Sequence, residues 1–112
     1  MKKMYVTVAG FQHYAGLQPF YIGAKLHCEK EPQNPYDNEA IRVSIYPLGT
    51  VGYIANSVHT KANGTKTASG VYSQLPDSFT IQVLFTTRTK VICQVVKKKK
   101  KNKKKVRWQE IK

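Results

Sequence analysis

A proline set inside a polar corner, with alternating residues on both sides, constrains this chain more than any other feature. The stretch runs Glu29-Lys30-Glu31-Pro32-Gln33-Asn34-Pro35-Tyr36-Asp37-Asn38-Glu39-Ala40-Ile41-Arg42-Val43. Pro35 fixes its own φ and pushes Asn34 into an extended conformation. Asn34 is a favoured first residue of a type I turn with proline second, and its side chain can bond nearby backbone. The chain therefore leaves one strand, turns stiffly and enters another near Ala40. Tyr36 and Asp37 fall on the far side of that turn, where an aromatic plane beside a carboxylate suits a small polar ligand. A well-made turn with a solvated aspartate is the other reading of the same residues.

Strand periodicity recurs along the chain. Met4 to Phe11 sets Val6 and Val8 against Tyr5 and Thr7. Lys25 to Lys30 places Leu26 and Cys28 on one face, and Ala40 to Tyr46 alternates Ile41, Val43 and Ile45 with Arg42 and Ser44. Pro47-Leu48-Gly49 predicts a turn, with Thr50 to Ile54 returning as a hairpin partner. Asn56 or Ser57 is placed to cap a short helix through about Ala62, ended by Asn63-Gly64, and Ala68 to Leu75 predicts another helical turn. Phe79 to Thr86 puts Phe79, Ile81, Val83 and Phe85 on one face, and Lys90 to Val96 forms the last strand after a tight Thr87-Arg88-Thr89 turn. Six short strands with little helix predict a small barrel or sandwich.

A chain of 112 residues holds one core. Its formal net charge of +13 is uneven: residues 97–112 carry ten basic residues and one acidic one, a net of +9, which leaves +4 for residues 1–96. The reading is a domain over residues 1–96 followed by a lysine-rich tail, which like-charge repulsion and lack of apolar surface keep disordered. Such an excess favours a polyanionic partner, either nucleic acid or an anionic membrane surface. Met1-Lys2-Lys3-Met4 is followed by alternation instead of an apolar block, and no run reaches transmembrane length. Cys28 and Cys93 sit far apart with no partner at metal spacing. These features predict a cytoplasmic, reduced protein with no cofactor and no structural metal.

The run Glu31 to Val43 resembles the central motif of the HIRAN domain. Two further signatures lie in the matching order: Val8-Ala9-Gly10-Phe11-Gln12-His13-Tyr14 upstream and Val51-Gly52-Tyr53-Ile54 downstream. Together they cover about the first half of the chain, in a size similar to the short free-standing bacterial members. The resemblance implies a compact β-barrel related to the OB-fold; joined to the strand and helix reading above, it gives a six-stranded OB-like barrel with one or two short helices. It also implies binding of single-stranded DNA with a preference for free 3′ ends, in DNA repair or processing. The chain departs from fused family members at Gln12 and His13, where arginine and tyrosine are common. It departs again at Ala55-Asn56, where a lysine tends to follow the Val-Gly-aromatic motif. Arg42, Lys25, Lys30 and the tail are therefore expected to supply part of the positive charge.

The inventory argues against an enzyme: the chain has no glycine-rich phosphate loop, no nucleophile motif and no histidine pair at metal-ligand spacing. Binding draws instead on Tyr14, Tyr36 and Tyr53, with His13 beside the first. Each lies near a strand end, so a barrel can gather them, and any base can stack on an aromatic plane. The predicted nucleic-acid contacts are His13, Tyr14, Asn34, Tyr36, Asp37, Arg42 and Tyr53. In the tail they are Lys98, Lys99, Lys100, Lys103, Lys104, Arg107 and Trp108. Asp37 stands out, because a carboxylate normally repels DNA. It becomes useful where it accepts a hydrogen bond from a terminal 3′-hydroxyl, a donor that an internal phosphodiester lacks. The resemblance suggests this role for the Tyr-Asp pair; capping of the turn backbone is the alternative, and both can hold at once. Two rival functions remain: an adaptor that binds a peptide or enzyme, and a general RNA or ribosome binder driven by the tail.

Overall fold

The computed structural model describes residues 3–98. Six strands form it: β1 (Tyr5–Ala9), β2 (Lys25–Glu31), β3 (Ala40–Ile45), β4 (Gly49–Ile54), β5 (Ser78–Thr86) and β6 (Val91–Lys98). Their order is β1-β4-β3-β2-β5-β6, and β6 pairs back onto β1 to close a barrel. All six pairings are antiparallel. A barrel, and not a sandwich, is thus the solution the alternation selects. One short helix, α1 (Ala68–Tyr72), and a 3-10 turn at Phe11–His13 complete the described elements.

The core is the inward face of the alternating strands. Val6 and Val8 from β1, Leu26 and Cys28 from β2, Ile41 and Val43 from β3, and Phe79, Ile81 and Val83 from β5 are all buried in one cluster. Burying one such side chain contributes on the order of 1.5–3 kcal/mol, which is why the alternation sets the register.

The register is broken at three places by an extra residue. Val43 faces Gly52 while Ser44 faces Thr50, which leaves Val51 extra on β4. Val83 faces Cys93 while Phe85 faces Ile92, which leaves Leu84 extra on β5; the remaining shift, between Thr80 and Ile81, leaves Val96 extra on β6. An added residue flips every side chain beyond it to the other face. Phe85, expected inside with Val83, is accordingly 53% exposed.

Two expectations for the middle of the chain part company. The turn at Ala68 forms: Thr67 caps α1, its hydroxyl accepting from Gly70 N–H at 3.0 Å. The helix expected from Asn56 or Ser57 does not form. The amides of Thr60 and Lys61 both donate to Ser57 O at 3.1 Å and the coil stops there. Val58 is 72% exposed, so this segment has no apolar face to bury, and an unpacked single turn does not propagate. The segment instead covers the outer side of β1. Thr7 Oγ1 lies 2.8 Å from Thr65 Oγ1 and accepts from Ala62 N–H at 3.0 Å, which buries a threonine that alternation pointed at solvent.

Candidate functional site

The polar corner is built by the Asn34 side chain. Its Oδ1 accepts from the Tyr36 amide at 2.8 Å and the Asp37 amide at 3.2 Å, while the Asn34 amide N–H donates to Glu31 O at 3.0 Å. With Pro35 holding its φ, these bonds leave Tyr36 nowhere to pack, and it stands 95% exposed. Asp37 follows at the foot of the corner. Its backbone carbonyl accepts from Ala40 N–H at 3.0 Å as the chain enters β3.

The other two stretches singled out in the sequence are packed against each other. A Cβ on Gly52 would lie 2.7 Å from Val8 Cγ1, 3.1 Å from Ala9 O and 3.8 Å from Phe11 Cβ, so only glycine admits this approach of β4 to β1. Gly10, with φ +72°, then turns the chain out of β1, and buried Phe11 packs on Phe20 with ring centroids 5.7 Å apart. Anchored in this way, the 3-10 turn delivers Tyr14 to the surface, where it is 46% exposed. Tyr53 follows Gly52 on β4 and donates to Glu31 Oε1 at 2.8 Å, which ties the third stretch to the corner.

These elements enclose a surface hollow of about 390 Å³ lined by Tyr14, Asn34, Pro35, Tyr36, Asp37, Ala40, Tyr53 and Ile54. Its size falls within the roughly 300–1,000 Å³ of small-ligand sites. Five of the seven residues singled out in the folded body therefore meet: Tyr14, Asn34, Tyr36, Asp37 and Tyr53. His13 ends the 3-10 turn, exposed, and is not part of this lining. Nor is Arg42, whose guanidinium is taken up by neighbouring acids. Its Nη2 donates to Glu29 Oε1 at 2.8 Å. Its Nε is buried 3.1 Å from Glu31 Oε2, near enough for an ion pair but out of line for a hydrogen bond. Lys30 is likewise engaged, donating to Leu75 O at 2.6 Å with its ammonium 4.5 Å from the Tyr72 ring centre. Lys25 is exposed. The predicted tail contacts from Lys99 onward lie outside the described residues, and Lys98 ends β6, paired with Phe79.

Sequence reasoning missed Glu31, Glu39 and Asn56. Glu31 gathers Tyr53, Arg42 and Asn34 Nδ2, the last at 3.0 Å. Burial first, then the hydrogen bond and charge of Glu31, with a further push from Tyr14, raise the Tyr53 phenol from 10.0 to about 12; Arg42 pulls the other way. Tyr53 thus stays a neutral donor to Glu31 while lining the hollow. Asp37 Oδ1 accepts from the Glu39 amide at 2.9 Å and Oδ2 from Asn56 Nδ2 at 2.7 Å. Each carboxylate oxygen can accept twice, so one lone pair on each remains for a ligand. Turn capping and ligand acceptance are compatible in one carboxylate. No group of three His, Cys, Asp or Glu side chains placed to hold a metal occurs among the described residues. None of the helices there is long and apolar enough to cross a membrane.

Comparison with known proteins adds three findings. The family model for the HIRAN domain matches residues 1–75, which take in β1 to β4 and α1. A crystal structure of a protein from Lactobacillus plantarum superposes with a TM-score of 0.55 at 19% identity, covering 83% of this chain and 92% of that one. The crystal structure of the HIRAN domain of human HLTF gives a TM-score of 0.55 at 19% identity, over 86% of this chain and 76% of that one. At these identities the likeness is one of fold. No curated protein matches the sequence.

Proposed function

We propose, from the premise that this chain belongs to the HIRAN domain family, a nucleic-acid-binding family, that it is a non-catalytic module for single-stranded DNA. It takes the 3′ end of a strand in the hollow, in DNA repair or processing. Tyr36 and Tyr14 offer planes for bases, and Asp37 accepts a hydrogen bond from the terminal 3′-hydroxyl. The observation that carries this reading is the Asp37 carboxylate, fixed beside two exposed tyrosine rings with acceptor capacity to spare. A phosphate in the same place would meet a fixed negative charge, so one group both rewards ends and rejects continuous strands.

The test compares short single strands that end in a 3′-hydroxyl or a 3′-phosphate, at stated salt, on wild type and Asp37→Ala. Wild type is expected to prefer the hydroxyl, and Asp37→Ala to bind both alike. Equal preference in the two proteins removes Asp37 from the site. Competition among 3′-tailed DNA, 5′-tailed DNA and RNA separates this reading from tail-driven RNA binding, for which ends are irrelevant.

A further inference from the structure

We propose that Asn56 is a positioning residue for Asp37: its side-chain amide sets the rotation of that carboxylate at the hollow and ties it to the first turn of α1. The assignment rests on the reading of Asp37 given above. Asn56 is not among the residues lining the hollow, so it acts through Asp37 and not on a ligand directly.

Four residues form a closed ring. Asn56 Nδ2 donates to Asp37 Oδ2 at 2.7 Å, and Asn56 Oδ1 accepts from the Ser69 amide at 2.8 Å. Ser69 Oγ donates to Glu39 Oε1 at 2.5 Å, and the Glu39 amide returns to Asp37 Oδ1 at 2.9 Å. A side-chain amide can be turned end for end, but here the backbone N–H of Ser69 demands the oxygen, so the NH₂ group must face Asp37. The terminal torsion of an aspartate is broad and two-fold, so one donor leaves the carboxylate plane free to swing. Donors from two separate segments, one on each oxygen, remove that freedom. They also decide which lone pairs are left over. Because the amide is neutral, it orients the acid without cancelling the charge that disfavours a phosphate.

The experiment uses the full chain and reads the ratio of affinities for strands ending in 3′-hydroxyl and 3′-phosphate. Wild type, Asn56→Ala, Asp37→Ala and the double variant make one cycle; Asn56→Leu is a second variant that keeps the size and neutrality of the side chain but removes its donor to Asp37 and its acceptor for Ser69 N–H. Asn56→Ala and Asn56→Leu are expected to lower the ratio by about tenfold, the order of a coupled pair. Asn56→Ala is expected to change nothing further once Asp37 is alanine. If Asp37→Ala abolishes the preference while Asn56→Ala retains it, the assignment is overturned and the function stands. An added loss in the Asp37→Ala background also overturns it. A wild type that binds both ends equally brings down the end-binding reading, and this assignment with it.

Discussion

Glu31 and Asp37 are both acids at the edge of a surface read as binding DNA, yet their surroundings give them opposite uses. Glu31 serves the structure, held by Tyr53, Asn34 and Arg42. Asp37 keeps a lone pair on each oxygen at the hollow. Tyr36 touches little, so Tyr36→Ala is expected to leave the unfolding midpoint unchanged while weakening single-strand binding by about 1–3 kcal/mol, measured by fluorescence anisotropy. Tyr53 is different. Its phenol is raised from 10.0 to about 12, so the neutral form is favoured in the folded protein. That contribution is whole below pH 10 and is lost as pH rises through about 12. Buried Cys93, raised from 9.0 to about 12, and Cys28, raised well above 9.0, add losses that begin somewhat lower. Urea unfolding across this range is expected to show a fall in stability that Tyr53→Phe flattens in part; an unaltered curve removes the Tyr53 contribution. Tyr14, Tyr36 and Asp37 were legible in the sequence because a stiff corner and strand ends expose what they carry. Asn56 was not, because its partner is 19 positions away and no local pattern encodes that pairing.

Among the elements, the meeting of β1 and β4 decides where Tyr14 and Tyr53 stand. Gly52 lets the two strands approach, and the extra Val51 beside it re-aims the strand before Tyr53. Gly52→Ala would press a methyl group onto Val8 Cγ1 and Ala9 O. The expected cost is about 1–3 kcal/mol in chemical denaturation, since neither a buried valine nor the main chain yields easily. Unchanged stability would mean that the strands can part without harm. The alternation that defines β2, β3 and most of β5 is a period-two signal and can be read from the residues alone. The extra residues in β4, β5 and β6 cannot, because each exists only relative to its partner strand. Phe85 is misjudged for that reason, and Thr7 because the segment that buries it comes from 58 positions away.

At the scale of the whole molecule, charge and chemistry are separated. The hollow holds an acid and its nearby Arg42 is paired, while residues 99–112 carry eight basic residues and one acidic one. Composition revealed that division without any structure, since a run of lysines needs no partner to be recognised. Removing residues 99–112, and not those of β6, is expected to flatten the plot of log affinity against log salt by about 0.7 for each phosphate that the tail had neutralised. It is expected to leave the preference between 3′-hydroxyl and 3′-phosphate intact. A slope that does not change makes the tail a bystander to binding. The joining of β6 to β1 has a consequence of another kind. A sheet with a raw border can serve as a template on which foreign chains zip up, the first step toward fibrils. Here, among the described residues, β6 returns to β1, so the row of strands has no end member with a whole flank of amides and carbonyls on offer, and a protein that seeks this domain meets chiefly its side chains and loops.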